Sequence, residues 1–376
     1  MIPFHKPYHA PSSQDYLNQV IESGHHGGDG PFGRRCEQYL QDLIGCHRAL
    51  LTTSCSVALD MCAMLIDAKP GDEVLVPSFT FVTTANAFYN RGAKPVFVDC
   101  LPGTLNMDPD HAEALVNSNT VAIVPMHYGG VACDMNAIMK LANKEGLLVI
   151  EDAAQAIDGY YDGQPLGSLG HLSTLSFHET KNITCGEGGA LLINDQQFKE
   201  RAEIIREKGT NRRRFFEGLV DKYSWLDIGS SYVQSDLLSS YLLGQLEAHK
   251  IIKQKRRDIW NEYYQRLKPL ENAGHLCLPQ IGKDCDPSWH LFFVLTEDNH
   301  TRKRLLTFLK DRGVMAQFHY LPLHLSDVGV RLGSKPGDCP NSERFSETLV
   351  RLPFYTDMPH EEVELVCRHL GAFYGH

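Results

Sequence analysis

Lys181 is the residue of this chain whose neighbours best equip it for covalent chemistry. It stands in Ser176-Phe177-His178-Glu179-Thr180-Lys181-Asn182-Ile183-Thr184-Cys185-Gly186-Glu187-Gly188-Gly189, between two short apolar runs at 171–175 and 190–193. Those runs predict strands, and lysine is rarely buried beside strands without a partner. A glycine-rich turn lets backbone come close to a ligand. An amine held there can form a Schiff base with a carbonyl compound once the site lowers its pKa. The plain alternative is an exposed lysine on a surface hairpin; the hydroxyls and glycines around it argue for the covalent role.

Three other stretches offer partners. The run 147–150 predicts a strand that ends in Glu151-Asp152-Ala153-Ala154-Gln155, and an acid at the carboxyl edge of a buried strand is costly unless paired. Asp152 is therefore either a carboxylate facing a cationic ligand or a helix N-cap. It lies 29 positions before Lys181, room for one loop and a strand pair, so both can reach one end of a sheet. In Leu50-Leu51-Thr52-Thr53-Ser54-Cys55-Ser56-Val57, small hydroxyl residues lead into an apolar helical run. They cap a helix, hold an anion at its N-terminus, or do both. Phe81, just past a predicted strand at 74–76, is either a core residue or an aromatic wall where ligands bind in open α/β sheets.

The pattern Ser-Phe-His-x-x-Lys-Asn-x-Thr-x-Gly-Glu-Gly-Gly, together with Glu-Asp-Ala-Ala-Gln at 151–155, resembles the signature of the DegT/DnrJ/EryC1 sugar aminotransferases. The likeness runs from Ile2-Pro3-Phe4 to Leu352-Pro353. It implies the pyridoxal 5'-phosphate (PLP)-dependent fold type I, that of aspartate aminotransferase. It also implies that Lys181 carries PLP, which cycles with its pyridoxamine form (PMP), and that the freed Lys181 amine acts as acid and base. Asp152 then faces the ring nitrogen, Gln155 the phenolic oxygen, Phe81 the pyridine ring and Ser176 the phosphate. Cys55-Ser56 stand where the family usually has Gly-Thr or Ala-Thr in its phosphate loop. Ser231 stands where it usually has an asparagine that reaches the partner subunit's phosphate, so that contact is weakened or remade.

Four residues are candidates on the substrate side. His178 either packs behind the reacting groups or touches substrate. Glu187 orders its glycine loop, shapes the pocket, or is a solvated acid. His319 and Tyr320, in the turn 317–324, face the active site by the resemblance and are otherwise a packed strand end. The partners implied are L-glutamate and a dTDP-linked keto sugar, with amination at C4 of dTDP-4-dehydro-6-deoxy-D-glucose, in a homodimer with active sites at the subunit interface.

The elements that must position these groups are those of an α/β enzyme. The 376 residues suit a large domain, expected at 1–245, and a smaller C-terminal α/β domain at 246–376. Strands at 74–76, 96–99, 120–125 and 147–150 alternate with helical runs, which predicts a mainly parallel sheet covered by helices. Residues 36–50 read as one helix, with Tyr39, Leu40 and Leu43 on one side. Residues 199–217 read as a charged helix and loop. In it Arg212-Arg213-Arg214 are a solvated face or a site for a nucleotide diphosphate. A long helix at 237–268 carries Lys250, Lys253, Lys255, Arg256 and Arg257 on an expected basic surface, and 289–295 predicts a strand.

A net charge of −10 gives no basic patch for nucleic acid. Eleven scattered cysteines with no C-x-x-C spacing point to reduced thiols in a cytoplasm. The N-terminus lacks the apolar core of a signal peptide, and no run is long enough to span a membrane. Adjacent His25 and His26 do not have metal-ligand spacing, and no metal is expected. A sugar 3-dehydrase of the same superfamily would have histidine in place of Lys181. A non-catalytic PLP-binding regulator would show a DNA-binding segment or a lost catalytic residue. A desulfurase would need a reactive cysteine on a mobile loop, for which Cys339 is the only candidate.

Overall fold

A computed structural model describes residues 1–216 and 218–375. The strands in the first half of the chain are β1 (Arg48–Thr52), β2 (Glu73–Pro77), β3 (Lys94–Val98), β4 (Thr120–Ile123), β5 (Leu148–Asp152), β6 (Tyr160–Tyr161), β7 (Gln164–Pro165), β8 (Leu172–Ser176) and β9 (Gly189–Ile193). Seven of them form the central sheet, in the order β1-β9-β8-β5-β4-β2-β3. Neighbours from β8 to β3 pair in parallel, whereas β9 runs antiparallel to both β1 and β8. The strands β1, β8 and β9 are buried along their whole length. That burial on both faces fits the continuous small and apolar run of β9, Gly-Ala-Leu-Leu-Ile, whereas β8, Leu-Ser-Thr-Leu-Ser, buries hydroxyls, Ser173 donating to the Glu151 carbonyl. The chain is an α/β protein of the expected type.

This topology fixes where chemistry can occur. The connection between β8 and β9 leaves from the carboxyl end of β8 and carries Lys181. On the adjacent strand β5, Asp152 lies beside Thr174 of β8 in register. The two candidate groups therefore meet at the carboxyl edge of the parallel strands, where ligands bind in open α/β sheets.

The C-terminal third has its own strand pair, β11 (Phe293–Leu295) with β12 (Leu349–Arg351), and β10 (Cys285–Asp286) joins β6 and β7. A core of Trp260, Tyr263, Phe292, Val294, Phe354, Val363 and Leu370 fills this part, and Ile2 packs into it. The N-terminal arm is pinned there by backbone bonds from Ile2 N–H to the Gly313 carbonyl and from Phe354 N–H to the Phe4 carbonyl. None of the described helices is long and apolar enough to cross a membrane.

Four expected elements differ. The helix read at 36–50 is Pro31–Ile44 and is followed by β1. Gly45, at φ 80°, ends the helix in the left-handed conformation that glycine adopts without strain, and Leu50 and Leu51 then pair with β9. The long helix at 237–268 is two helices, Asp236–Glu247 and His249–Asn272, broken at Ala248. Arg256 is not on a basic surface: it is 1% exposed and donates to the carbonyls of Trp289 and His290. Those carbonyls are thus unavailable to a ladder, and Trp289 has φ 57°, so the strand expected at 289–295 shrinks to Phe293–Leu295. The charged segment at 199–217 forms Lys199–Arg206 and Arg212–Phe216, and its final residue, Glu217, lies outside the described residues.

Candidate active site

A cavity of about 590 Å³ opens at the carboxyl edge of the sheet. Its walls come from the start of the helix Cys55–Leu65, the turns after β2, β5 and β8, the N-terminal arm and the C-terminal third. Of the twelve residues singled out in the sequence, it brings together eleven: Cys55, Ser56, Phe81, Asp152, Gln155, Ser176, His178, Lys181, Glu187, His319 and Tyr320.

Lys181 is half-buried in that wall. Burial pushes its amine below the ordinary lysine range; Cys55 and Asp152 pull it up, and the Arg351 cation pushes it down. Burial in a cavity and a depressed pKa exclude the exposed-hairpin alternative. Asp152 is 4% exposed at the end of β5. Its Oδ2 accepts a hydrogen bond of 2.7 Å from Thr84 Oγ1, and Oδ1 accepts one of 3.2 Å from Ala154 N–H. No described helix begins after it, so it is not a helix N-cap.

The neighbouring Glu151 points elsewhere. Wholly buried, it accepts from the N–H groups of Gly167, Leu169 and Gly170 and pairs with His127 Nε2 at 3.0 Å. Burial alone would lower the His127 pKa, but the bonds to Cys133 and Glu151 raise it to about 10. This pair is a structural knot away from the cavity.

The helix start combines both alternatives weighed for it. Ser54 caps the helix, accepting from Val57 N–H at 3.2 Å, while Ser54, Cys55 and Ser56 line the cavity. The first turn of a helix presents unsatisfied N–H groups and the positive end of its dipole, which favours an anion there. Cys55 Sγ donates to Thr174 Oγ1 at 3.5 Å, and burial pushes its thiol up to about 12, so it remains a neutral wall residue. The glycine cluster has two roles: Gly188 brings backbone to the cavity wall, as expected, and Gly189 packs against the helix start. A Cβ on Gly189 would lie 2.4 Å from the Ser54 carbonyl carbon and the Cys55 nitrogen. Gly189 thus lets β9 press against the helix start rather than against a ligand.

Phe81 is 55% exposed and faces the cavity, so it is not the core residue it might have been; Phe79, two residues earlier, takes that place at 1%. The Gln155 amide is fixed at both ends. Its Oε1 accepts from Gly129 N–H at 2.7 Å and its Nε2 donates to Tyr320 Oη at 3.2 Å. His319 stacks on Tyr320 at 4.0 Å between centroids, and Arg351 donates to His319 Nε2. Burial first, then the cations Arg351 and Lys181, lower the His319 pKa to about 2, so this ring is a neutral spacer. His178 and Glu187 face each other at 3.7 Å across the rim, both substantially exposed.

Ser231 does not line the cavity. It is exposed and bridges to Glu207. Arg212, Arg213 and Arg214 are also outside it, each beside an acid: Glu207, Glu203 and Glu200. Cys339 is fully buried, with its thiol pushed up to about 12 by burial, which removes the desulfurase alternative.

Several residues of the site were missed. Thr84, wholly buried behind the cavity wall, orients Asp152 from the hydroxyl-rich stretch after β2. His5 donates to the Glu179 carbonyl at 2.7 Å from an arm whose path no local pattern reveals. His290, bonded to Asn182 Oδ1 at 2.9 Å, was hidden inside an expected strand. Arg351 just precedes the Leu352-Pro353 landmark and was passed over.

The family model for the DegT/DnrJ/EryC1/StrS aminotransferase family matches residues 7–371. The chain belongs to that family. It is a PLP-dependent sugar aminotransferase of fold type I. A pleiotropic regulatory protein of Geobacillus stearothermophilus is 35% identical over 89% of this chain and 88% of its own length. The aminotransferase TlmJ from Streptoalloteichus hindustanus superposes with a TM-score of 0.92 at 30% identity, covering 100% of this chain and 99% of that one. The PLP form of Spr1654, a putative sugar aminotransferase from Streptococcus pneumoniae, shares the fold at 24% identity and a TM-score of 0.91, covering 100% of this chain and 98% of that one.

The residues present in this sugar aminotransferase fit PLP. One cavity offers an amine for an aldehyde, a buried carboxylate for a ring nitrogen, and a helix start with serines for a phosphate. It also offers an exposed aromatic face in Phe81.

Proposed function

We propose that this enzyme moves the amino group of L-glutamate to C4 of dTDP-4-dehydro-6-deoxy-D-glucose. The products are dTDP-4-amino-4,6-dideoxy-D-galactose and 2-oxoglutarate. The observation that carries the reaction class is the meeting of the Lys181 amine and the Asp152 carboxylate in one cavity. The sugar is supported by local likeness to dTDP-4-amino-4,6-dideoxygalactose transaminase, the enzyme of enterobacterial common antigen synthesis. That likeness lies in Ser-Phe-His-Glu-Thr-Lys-Asn, Ile-Arg-Glu-Lys-Gly-Thr-Asn-Arg at 205–212, Asp-Ile-Gly-Ser-Ser-Tyr and Phe-His-Tyr-x-Pro-Leu-His.

When bound, the cofactor supplies an electrophilic carbonyl and an electron sink. The protein does the rest. Asp152, oriented by Thr84, keeps a proton on the ring nitrogen. Ser54 to Ser56 and Ser176 would hold the phosphate, Phe81 would cover the ring, and Gln155 Nε2 would serve the phenolic oxygen. Lys181 Nζ, depressed by burial, takes the proton from the donor's Cα and returns it on the sugar side. His178, Glu187, His319 and Tyr320 shape the substrate side.

The chain works in the cytoplasm as a homodimer. The exposed apolar run of Phe216, Leu219, Trp225 and Leu226 is surface that a second copy would cover, and Ser231, in place of an asparagine, would make a weakened or remade contact to the partner's phosphate. The smaller domain begins at about residue 246, next to the break at Ala248.

The PMP-loaded enzyme, offered a panel of nucleotide-linked 3-keto and 4-keto sugars, should aminate dTDP-4-dehydro-6-deoxy-D-glucose, read as product mass and as C4 configuration by NMR. Amination at C3, or of another nucleotide's sugar in preference, would overturn the assignment.

A further inference from the structure

We propose that His290 Nε2 accepts a hydrogen bond from the C3 hydroxyl of the keto sugar, an inference that rests on the proposed amination at C4. The tautomer of this ring follows from its neighbours. Asn182 sends its amide nitrogen to the Ser288 carbonyl at 2.7 Å. A carbonyl only accepts, so the Asn182 amide oxygen is the end that faces His290. That oxygen lies 2.9 Å from His290 Nδ1 and can only accept, so Nδ1 carries a proton. Burial, and then the Lys181, Arg256 and Arg351 cations, hold the ring's pKa well below the usual 6.5. The ring is therefore neutral, and Nε2 is a bare lone pair.

That lone pair is unused. His290 is 5% exposed and lines the cavity, and Nε2 has no hydrogen-bond partner among the described residues. The other histidines of the wall differ. His319 accepts from Arg351 at Nε2 and meets Tyr128 Oη at Nδ1. His5 donates to the Glu179 carbonyl, and His178 bonds Thr180 at the exposed rim. The His290 backbone is also held, its N–H by the Gly129 carbonyl and its carbonyl by Arg256, so the ring is fixed at both of its attachments.

A lone pair takes a donor, and few groups of the expected ligands are donors. The cofactor's phosphate and phenolic oxygen, and both carboxylates of L-glutamate, are acceptors. The cofactor's protonated ring nitrogen has Asp152. The donor's amine is the group transferred and is spent in bonding to the cofactor. The hydroxyls of the keto sugar remain. His290 is close enough to Lys181 for that charge to act on its ring, so it sits by the reacting carbon. C3 is the hydroxyl-bearing carbon bonded to C4.

Two variants separate the ring's two contacts. His290→Asn puts an amide nitrogen near the place of Nδ1, which keeps the bond to Asn182 and removes the acceptor. His290→Gln puts an amide oxygen near the place of Nε2. The ligand is dTDP-6-deoxy-D-glucose, which keeps the C3 hydroxyl and has no carbonyl to react. By calorimetry, PMP-loaded wild type should bind it about 5- to 50-fold more tightly than its 3-deoxy analogue, the effect of leaving a buried acceptor without a donor. In His290→Asn that ratio should collapse to about twofold or less, through weaker binding of the hydroxylated sugar, and His290→Gln should retain part of it. Half-saturation for bleaching of the cofactor band by L-glutamate in the PLP-loaded variants should stay within about threefold of wild type. The wild-type comparison needs no variant, so it decides even where a variant folds poorly.

Each other outcome overturns the assignment. Equal binding of the two sugars by wild type would show that the C3 hydroxyl is not read. A ratio that persists in His290→Asn would place the hydroxyl's partner elsewhere. An equal loss in glutamate bleaching would make His290 a support for the Lys181 loop, and a loss confined to glutamate would give the lone pair to the amino donor. A wild-type enzyme that is bleached by glutamate but aminates C3, or binds neither sugar, would count against the proposed substrate itself, before any variant is made.

Discussion

Glu151 and Asp152 are consecutive, both carboxylates, both buried at the end of β5, and they lead opposite lives. Glu151 is saturated with three backbone N–H groups and a histidine. Asp152, on the other side of the strand, has one threonine hydroxyl and one N–H, and the rest of its capacity faces a cavity. Alternation along a strand separates them. The lesson is that burial alone does not mark a functional acid. The mark is incomplete satisfaction by the protein, because a buried charge lacking partners is costly unless something else supplies them.

The largest effect expected on the cavity side is from Lys181→Ala, which should reduce turnover by about 10⁴-fold or more while leaving the fold intact, since the amine is anchor, acid and base at once. Steady-state rates and thermal unfolding on the same preparation check it. Retention of substantial turnover would move the chemistry to another amine.

The neighbouring carboxylates should then separate cleanly. Asp152→Asn should lower kcat by about 10³-fold with little change in unfolding midpoint, because it removes charge stabilisation at the reacting ring. Glu151→Gln should do the reverse. Gln keeps one oxygen for Leu169 and Gly170 N–H, but turns an NH2 towards the Gly167 N–H and His127 and removes the buried charge; it should lower unfolding free energy by about 3–5 kcal/mol, with near-normal activity per folded molecule. Denaturant titration and rate assays on both variants decide it; the same pattern from both would erase the distinction.

Much of this contrast was legible beforehand, and what was missed has a common cause. The acid pair, Lys181, Phe81 and the helix start lie in contiguous motifs whose apolar flanks also announce their strands, so local pattern sufficed. Arg256 was misplaced because a long basic helix hides which of its cations turns inward; the carbonyls of Trp289 and His290 that receive it are some thirty residues away. His5 reaches the cavity because the arm is pinned to the C-terminal core, and Arg351 because β12 ends at the cavity wall, contacts between chain ends that no local spacing encodes. β1 was absorbed into a helix because Leu50 and Leu51 fit either period, and only pairing with β9 decides between them.

The knot under β5 also carries a pH signature that the cavity lacks. The folded His127 pKa is raised to about 10 from an ordinary 6.5. The stability it contributes is therefore fully present below about pH 6.5 and is lost as pH rises through 10. Unfolding midpoints taken from pH 7 to 10 should decline in the wild type and decline less in His127→Gln. His319, held near 2, should add no limb to the rate profile between pH 5 and 8. An inflection there that vanishes in His319→Gln would show that the ring titrates in the working enzyme.

Repeating the contrast with aromatic rings gives, at Phe81, the smallest effect. Phe79 is 1% exposed and meets Tyr128, Tyr320 and Phe345 edge-on, at 5.4 to 6.3 Å between centroids. Phe79→Ala should cost about 3–5 kcal/mol of stability. Phe81 is more than half exposed, and its ring is tilted against Tyr320 at 6.4 Å between centroids. Phe81→Leu should therefore change stability by no more than about 0.5 kcal/mol, yet weaken PLP by about 2- to 10-fold, the worth of one aromatic contact. Fluorescence titration of PLP into the apoenzyme measures it. Unchanged affinity would mean that the ring covers no cofactor, and its exposure would then need another ligand to explain it.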